Sequence, residues 1–180
     1  KSALATLTSG ATNLAIGYTA LAACTTGSEN IAIGSTALAA NIDGGSNIMI
    51  GVNAAASANC AGFDYNVGLG NYVFDGVAAD IDAVGNVGIG QASLSGVLTD
   101  AADYNTCVGF QTGLVITSGS SNTLIGSASG DALTDGGSNT FLGIGAGSTT
   151  TSTGYCVAIG FEAMNASDVE SGAAHTIAIG

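Results

Sequence analysis

The sequence predicts an all-β fold, a parallel β-solenoid built from one short repeat. Two observations lead there. A five-residue motif ending in glycine recurs ten times, closing at Gly17, Gly34, Gly51, Gly70, Gly90, Gly109, Gly126, Gly143, Gly160 and Gly180. The closing glycines are 17, 17, 19, 20, 19, 17, 17, 17 and 20 residues apart. Self-similarity at such a period marks a repeat architecture, in which each unit buries its apolar face only against its neighbours. Composition agrees: 29 glycines, no Pro or Trp, and 8% charged residues suit thin coils stacked closely. The single repeat domain spans 1–180.

The motif is best seen in Asn30-Ile31-Ala32-Ile33-Gly34. Its period-2 alternation and β-branched residues predict a strand. Positions two and four, mostly Ile, Leu or Val, are expected to face a core. Position three, often small (Ala15, Ala32, Gly68, Gly88, Ala158), is expected to face a close neighbour or solvent. The closing glycine points to a positive φ or to close approach of another backbone. Asn opens eight of the ten motifs, as Asn13, Asn30, Asn47, Asn66, Asn86, Asn105, Asn122 and Asn139. Stacked in register, these side chains can form a hydrogen-bonded ladder, so a structural role is expected of them.

After the glycine comes a short second segment. Its third residue is small in most units (Ala20, Ala37, Ala54, Ser93), and the next is Leu21, Leu38, Phe74, Leu94 or Met164 in five of them. Ala-Leu runs favour helix, but the segment is too short for an uncapped helix. A second strand is therefore expected. Polar turns such as Asp43-Gly44-Gly45-Ser46 and Asp135-Gly136-Gly137-Ser138 complete each unit. The longer units carry an acidic, aromatic-bearing belt between Phe63 and Tyr104.

With one basic residue, Lys1, against 13 acidic ones, the net charge is −12. That disfavours nucleic acid, whose phosphates need Lys and Arg. No apolar run is long enough for a spanning helix, so no membrane insertion is expected. The chain starts and stops within the repeat, which suggests a piece of a longer fibre or a subunit that stacks end to end. Cys24, Cys60, Cys107 and Cys156 form no CxxC pair, and His175 lies far from most of them, so a zinc site is not expected. Cys24 and Cys60 fall two coils apart, too far for a disulfide. Buried thiols are the expectation, with crosslinks between chains as the sharper alternative.

Candidate chemistry gathers in the belt. Asp80, Asp82, Asp100 and Asp103, with Asp75, are candidate Ca²⁺ ligands, though their spacing matches neither the EF-hand loop nor the calcium-binding nonapeptide repeat; a solvated acidic rim is the plainer reading, and no cofactor is otherwise expected. Tyr65, Tyr72, Phe74 and Tyr104 form a candidate ligand surface for sugar rings, or else core and interface packing. No pair of carboxylates and no nucleophile near His175 marks a catalytic centre, so no enzyme activity is expected. Thr106, Thr123 and Thr140 form a regular column of the kind that can order water. Asn165-Ala166-Ser167 matches a glycosylation sequon.

The units Asn13-Leu14-Ala15-Ile16-Gly17-Tyr18-Thr19-Ala20-Leu21 and Asn30-Ile31-Ala32-Ile33-Gly34-Ser35-Thr36-Ala37-Leu38 resemble the head repeat of trimeric autotransporter adhesins (the YadA-like head) and the N-x-x-I-G repeat of phage tail fibres. The likeness runs from Asn13 to Gly180, and the period is longer than that of adhesin heads, which favours the fibre branch. It implies a left-handed β-roll in a homotrimer, intertwined or side by side, serving as a structural or adhesive fibre at a cell surface or on a virion. A glycan- or receptor-binding module using the belt, and a self-assembling filament subunit, are the alternatives.

Overall fold

A computed structural model of the chain describes residues 2–58, 62–78, 81–165 and 174–180. The fold is an all-β parallel solenoid of about nine turns, with no helix among the described residues. Each motif forms one three-residue strand: β1 Leu14–Ile16, β2 Ile31–Ile33, β3 Ile48–Ile50, β4 Val67–Leu69, β5 Val87–Ile89, β6 Thr106–Val108, β7 Thr123–Ile125, β8 Thr140–Leu142, β9 Val157–Ile159 and β10 Ile177–Ile179. They pair in sequence order in one parallel sheet. The register is strict despite the varying period: Ile48 faces Val67 and Val67 faces Val87, although the intervals there are 19 and 20 residues. Extra residues are absorbed outside the strand. At about 4.8 Å per strand the sheet is roughly 43 Å long.

The second segment is not a strand. In each coil the second and fourth residues after the glycine have left-handed backbone, as in Thr19 (φ 53) and Leu21 (φ 50), or Thr36 (φ 59) and Leu38 (φ 49). The segment is a train of tight turns, with Ala20 N–H donating to the Gly17 carbonyl (3.4 Å), Ala22 to Thr19 (3.2 Å) and Cys24 to Leu21 (3.3 Å). Left-handed Leu costs about 1–2 kcal/mol. Side-chain burial and bonds between coils offset it: Leu21 N–H reaches the Ala37 carbonyl at 3.0 Å and Leu38 that of Ala54 at 2.9 Å. A train of turns bends the chain back within a few residues, and an extended strand would not.

The strand also faces the opposite way from the sequence expectation. Position three is the core position: Ala32, Met49, Cys107, Leu124, Phe141 and Ala158 are fully buried. Positions two and four point outward, so that Leu14, Ile16, Ile50, Ile125, Leu142 and Ile159 are exposed. Alternation forces this once Asn is inside, because positions one and three share a face.

The core is filled by exchange of volume between strand and turn. Where position three is small, the fourth residue after the glycine is large: Ala32 goes with Leu38, Gly68 with Phe74, Ala158 with Met164. Where position three is large the reverse holds: Leu124 goes with Gly130 and Phe141 with Gly147. A Cβ on Gly68 would overlap Met49 Sδ of the preceding coil, stand 2.9 Å from Val73 and 3.2 Å from the Phe74 ring, and one on Gly130 would stand 2.9 Å from Leu124. Phe74 in turn meets Phe63 edge-on at 5.9 Å.

Gly34 shows why the motif ends in glycine. Its φ is +138°, and a Cβ there would overlap the carbonyl group of Gly51 in the next coil. Both reasons read from the sequence operate at once.

Candidate functional site

The Asn column forms the expected ladder. Asn30 Oδ1 accepts from the backbone N–H and from Nδ2 of Asn47, at 3.1 and 3.0 Å. Each Nδ2 also donates to the carbonyl three residues before the next coil's motif, Asn30 to Gly44 (2.8 Å) and Asn66 to Ala83 (2.7 Å). The ladder ends where Asn139 Oδ1 accepts from Cys156 N–H at 3.0 Å. Every hydrogen-bonding group of these buried amides is engaged within the protein, so they are structural.

The belt residues do not converge. Asp80 lies outside the described residues. Asp100 Oδ1 accepts from the Asp82 N–H (3.0 Å), Asp103 Oδ1 from the Val84 N–H (2.8 Å), and Asp64 Oδ1 from the Gly45 N–H (2.6 Å). These carboxylates cap amides of the preceding coil, a short-range task that the sequence did not signal. Ca²⁺ wants six to eight converging oxygens. Among the described residues no three His, Cys, Asp or Glu side chains are placed to hold a metal, so Asp82, Asp100 and Asp103 do not form a cage.

The aromatic set divides. Phe74 is fully buried in the core, which removes it from any ligand surface. Tyr72 is 42% exposed and sits among the turns after Gly70. Tyr65 and Tyr104 are 66% and 65% exposed, and both occupy the position just before a motif. That position is left-handed in every coil, and Tyr155 and His175 share it. Tyr155 and His175 rings stack at 5.1 Å with a 7° interplanar angle.

Beside this column the polar turns floor two grooves at equivalent places. One groove, of about 380 Å³, spans the coils of β2 to β4 and is bounded by Glu29, Asp43, Ser46 and Tyr65. The other, of about 250 Å³, spans those of β7 to β9 and is bounded by Asp135, Ser138, Ser152 and Tyr155. Hydrogen bonds from the Ser152 and Thr134 hydroxyls hold the Asp135 carboxyl below its ordinary range. Ser46 Oγ donates to Glu29 Oε2 at 2.9 Å.

Thr106, Thr123 and Thr140 align in register on the outward face, flanked by Val108, Ile125 and Leu142. Cys24, Cys107 and Cys156 are buried, and burial pushes the Cys24 and Cys107 thiols up. Cys60 and the sequon's Ala166 and Ser167 lie outside the described residues. Burial likewise raises the Asp75 and Asp131 carboxyls, and Asp131 Oδ1 is buried with no hydrogen-bond partner among the described residues. No described helix is long and apolar enough to cross a membrane.

Comparison with family models, curated proteins and solved structures returns no match for this chain.

Proposed function

We propose that this chain is a segment of a non-enzymatic extracellular fibre, a homotrimer in which three solenoids pack their strand faces about a common axis. One observation carries the reading. The outward column at motif position four is aliphatic in all ten coils and that at position two in seven, Thr106, Thr123 and Thr140 being the exceptions, and every residue of both columns is exposed or half-buried along the length of the sheet. A continuous apolar strip of this kind ordinarily marks an interaction surface. Two parallel columns in strict register give a flat, repeating face on which identical copies can pack. The near-absence of Lys and Arg, which leaves trypsin almost nothing to cut, suits a protein working outside the cell. The resemblance to adhesin heads and tail fibres supports the same assembly, with further segments of the fibre as neighbours.

The work done is mechanical. Parallel backbone bonds, the Asn ladder and the buried exchange of core volume resist unfolding, so the segment holds an attachment device at a distance or presents one. The alternative, recognition of a glycan or surface protein by residues 63–104 as one belt, is weakened by the burial of Phe74. Light scattering tests the trimer: a native mass three times that of the chain supports it, a monomer overturns it, and open-ended polymers point to a filament subunit.

A further inference from the structure

We infer that the two grooves beside the pre-motif column are binding sites for neutral or amino sugars, one bounded by Tyr65 and the other by Tyr155. The two are built alike. Each spans three coils, whose pre-motif residues run Glu29, Ser46, Tyr65 at one and Ser121, Ser138, Tyr155 at the other, all but Ser121 lining the groove. The floor is Ser28, Gly45 and Asp64 in the first and Ser120, Gly137 and Gly154 in the second. Glycine at the middle position of both floors, Gly45 and Gly137, leaves space that a side chain there would fill. A carboxylate, Asp43 or Asp135, lines each groove at the same register position, four residues before a motif. At about 4.8 Å per coil the grooves lie roughly 24 Å apart.

Between them the pre-motif column is crowded, for a local reason. Gly85 occupies the pre-motif position of the β5 coil, and a Cβ on it would stand 2.8 Å from Cδ1 of Tyr104. The Tyr104 ring lies over Gly85 and takes up the space. An open groove therefore requires two residues without an aromatic ring followed by Tyr, a pattern that occurs at both sites.

The lining matches a saccharide. An exposed Tyr ring at the end of a polar trough offers an apolar face to a pyranose, while Ser hydroxyls, backbone groups and a carboxylate offer partners for its hydroxyls. At about 380 and 250 Å³ the two open grooves have room for a single sugar ring. Charge narrows the class. Glu29, Asp43, Asp64 and Asp135 face the grooves and Lys1 is the sole basic side chain, so a sialate, uronate or phosphorylated sugar meets carboxylates with no cation to offset them. Neutral sugars escape this, and an amino sugar gains from it.

The test is an amide-shift titration of the ¹⁵N-labelled full chain with three probes: methyl β-galactoside, glucosamine and N-acetylneuraminate. The expected result is saturable shifts at Gly45 and Ser46 and at Gly137 and Ser138 with the first two probes and none with the third. Tyr65→Asn keeps a residue suited to left-handed backbone and should weaken the first site about tenfold while sparing the second, the scale of one lost aromatic contact. Tyr155→Asn should do the converse, each variant's intact groove reporting that the fold survives. Should either variant lose its spectral dispersion, Gly137→Ala, at the floor position that is glycine in both grooves, narrows the second groove without touching a ring and should weaken the response at Ser138 while sparing that at Ser46. The proposal is overturned by an absence of shifts at both grooves, by shifts that persist unchanged in the variants, or by equal response to neuraminate. None of these outcomes bears on the native mass, so the fibre reading stands or falls separately.

Discussion

Asn47 Oδ1 accepts two hydrogen bonds from Asn66, one from its backbone N–H at 3.0 Å and one from its Nδ2 at 3.3 Å. Asn66 Oδ1 serves Asn86 in the same way, at 2.9 and 3.3 Å. Asn66→Ala therefore leaves several buried groups short: Asn47 Oδ1, the Ala83 carbonyl, and the N–H and Nδ2 of Asn86. An unsatisfied buried group costs about 1–3 kcal/mol, so a loss of about 2–4 kcal/mol in urea unfolding is expected. Asn13→Ala, at the solvent-facing end of the ladder, should cost about 1 kcal/mol.

Two glycine substitutions should differ sharply. Gly34→Ala places a Cβ into the Gly51 carbonyl group at φ +138°, and should cost more than about 3 kcal/mol. Gly154→Ala meets only the Gly137 carbonyl oxygen, at 3.3 Å, and should cost less than about 1 kcal/mol. Equal effects in thermal melts would mean that the stacking of glycine carbonyls is not what holds the motif.

The exchange of volume in the core predicts coupling. Ala32→Met overpacks a coil that already holds Leu38, and Leu38→Ala leaves a cavity, so each should cost about 1–4 kcal/mol alone. Together they reproduce the pair Met49 and Ala55 found one coil on, and should cost less than either single change by about 1 kcal/mol or more. A double-mutant cycle with additive losses would refute the exchange.

Charge on the outward strand face tests the assembly. Ile50→Glu with Ile125→Glu should reduce the native mass to that of one chain while leaving far-ultraviolet circular dichroism unchanged, because both side chains are exposed in the single chain. An unchanged trimer would show that another face makes the contact.

Asp131 predicts a pH effect of definite sign. Burial raises its carboxyl in the folded state, so the folded chain binds the proton more tightly than the unfolded chain. Stability then falls as pH rises through the interval above the ordinary aspartate value and stays lowered at neutral pH. Asp131→Asn should raise Tm by about 1–2 °C at pH 7, and the gain should vanish as pH approaches about 4. A gain that grows on acidification would contradict the burial effect.

Much of the fold is legible in particular residues. The recurrence of Asn and Gly marks the strands to within a residue, and Gly34 meets both demands inferred from its type. One legible signal is easily passed over: small third positions (Ala15, Ala32, Gly68, Gly88, Ala158) and large turn residues (Leu21, Leu38, Phe74, Leu94, Met164) occur in the same five coils. Taken as a pair they place both inside. Phe74 read alone looks like a surface aromatic of the belt, and its partner Gly68 shows why it is not. The capping roles of Asp64, Asp100 and Asp103 carry no such signal, because each depends on an amide 18 or 19 residues away whose direction only the turns define.

The sequence by itself determined the period, the strand positions, the closing glycines and the ladder of Asn. Stacked coils must satisfy the same backbone bonds at every level, so any residue the backbone requires has to recur. The tertiary structure alone decided which strand face is inside, that the second segment is a train of left-handed turns, and that Tyr65 and Tyr155 bound grooves while the Tyr104 ring packs over Gly85. A three-residue strand alternates sides without naming either as the interior. That choice is made where the returning chain lies, on the side where its carbonyls can receive the Asn amides.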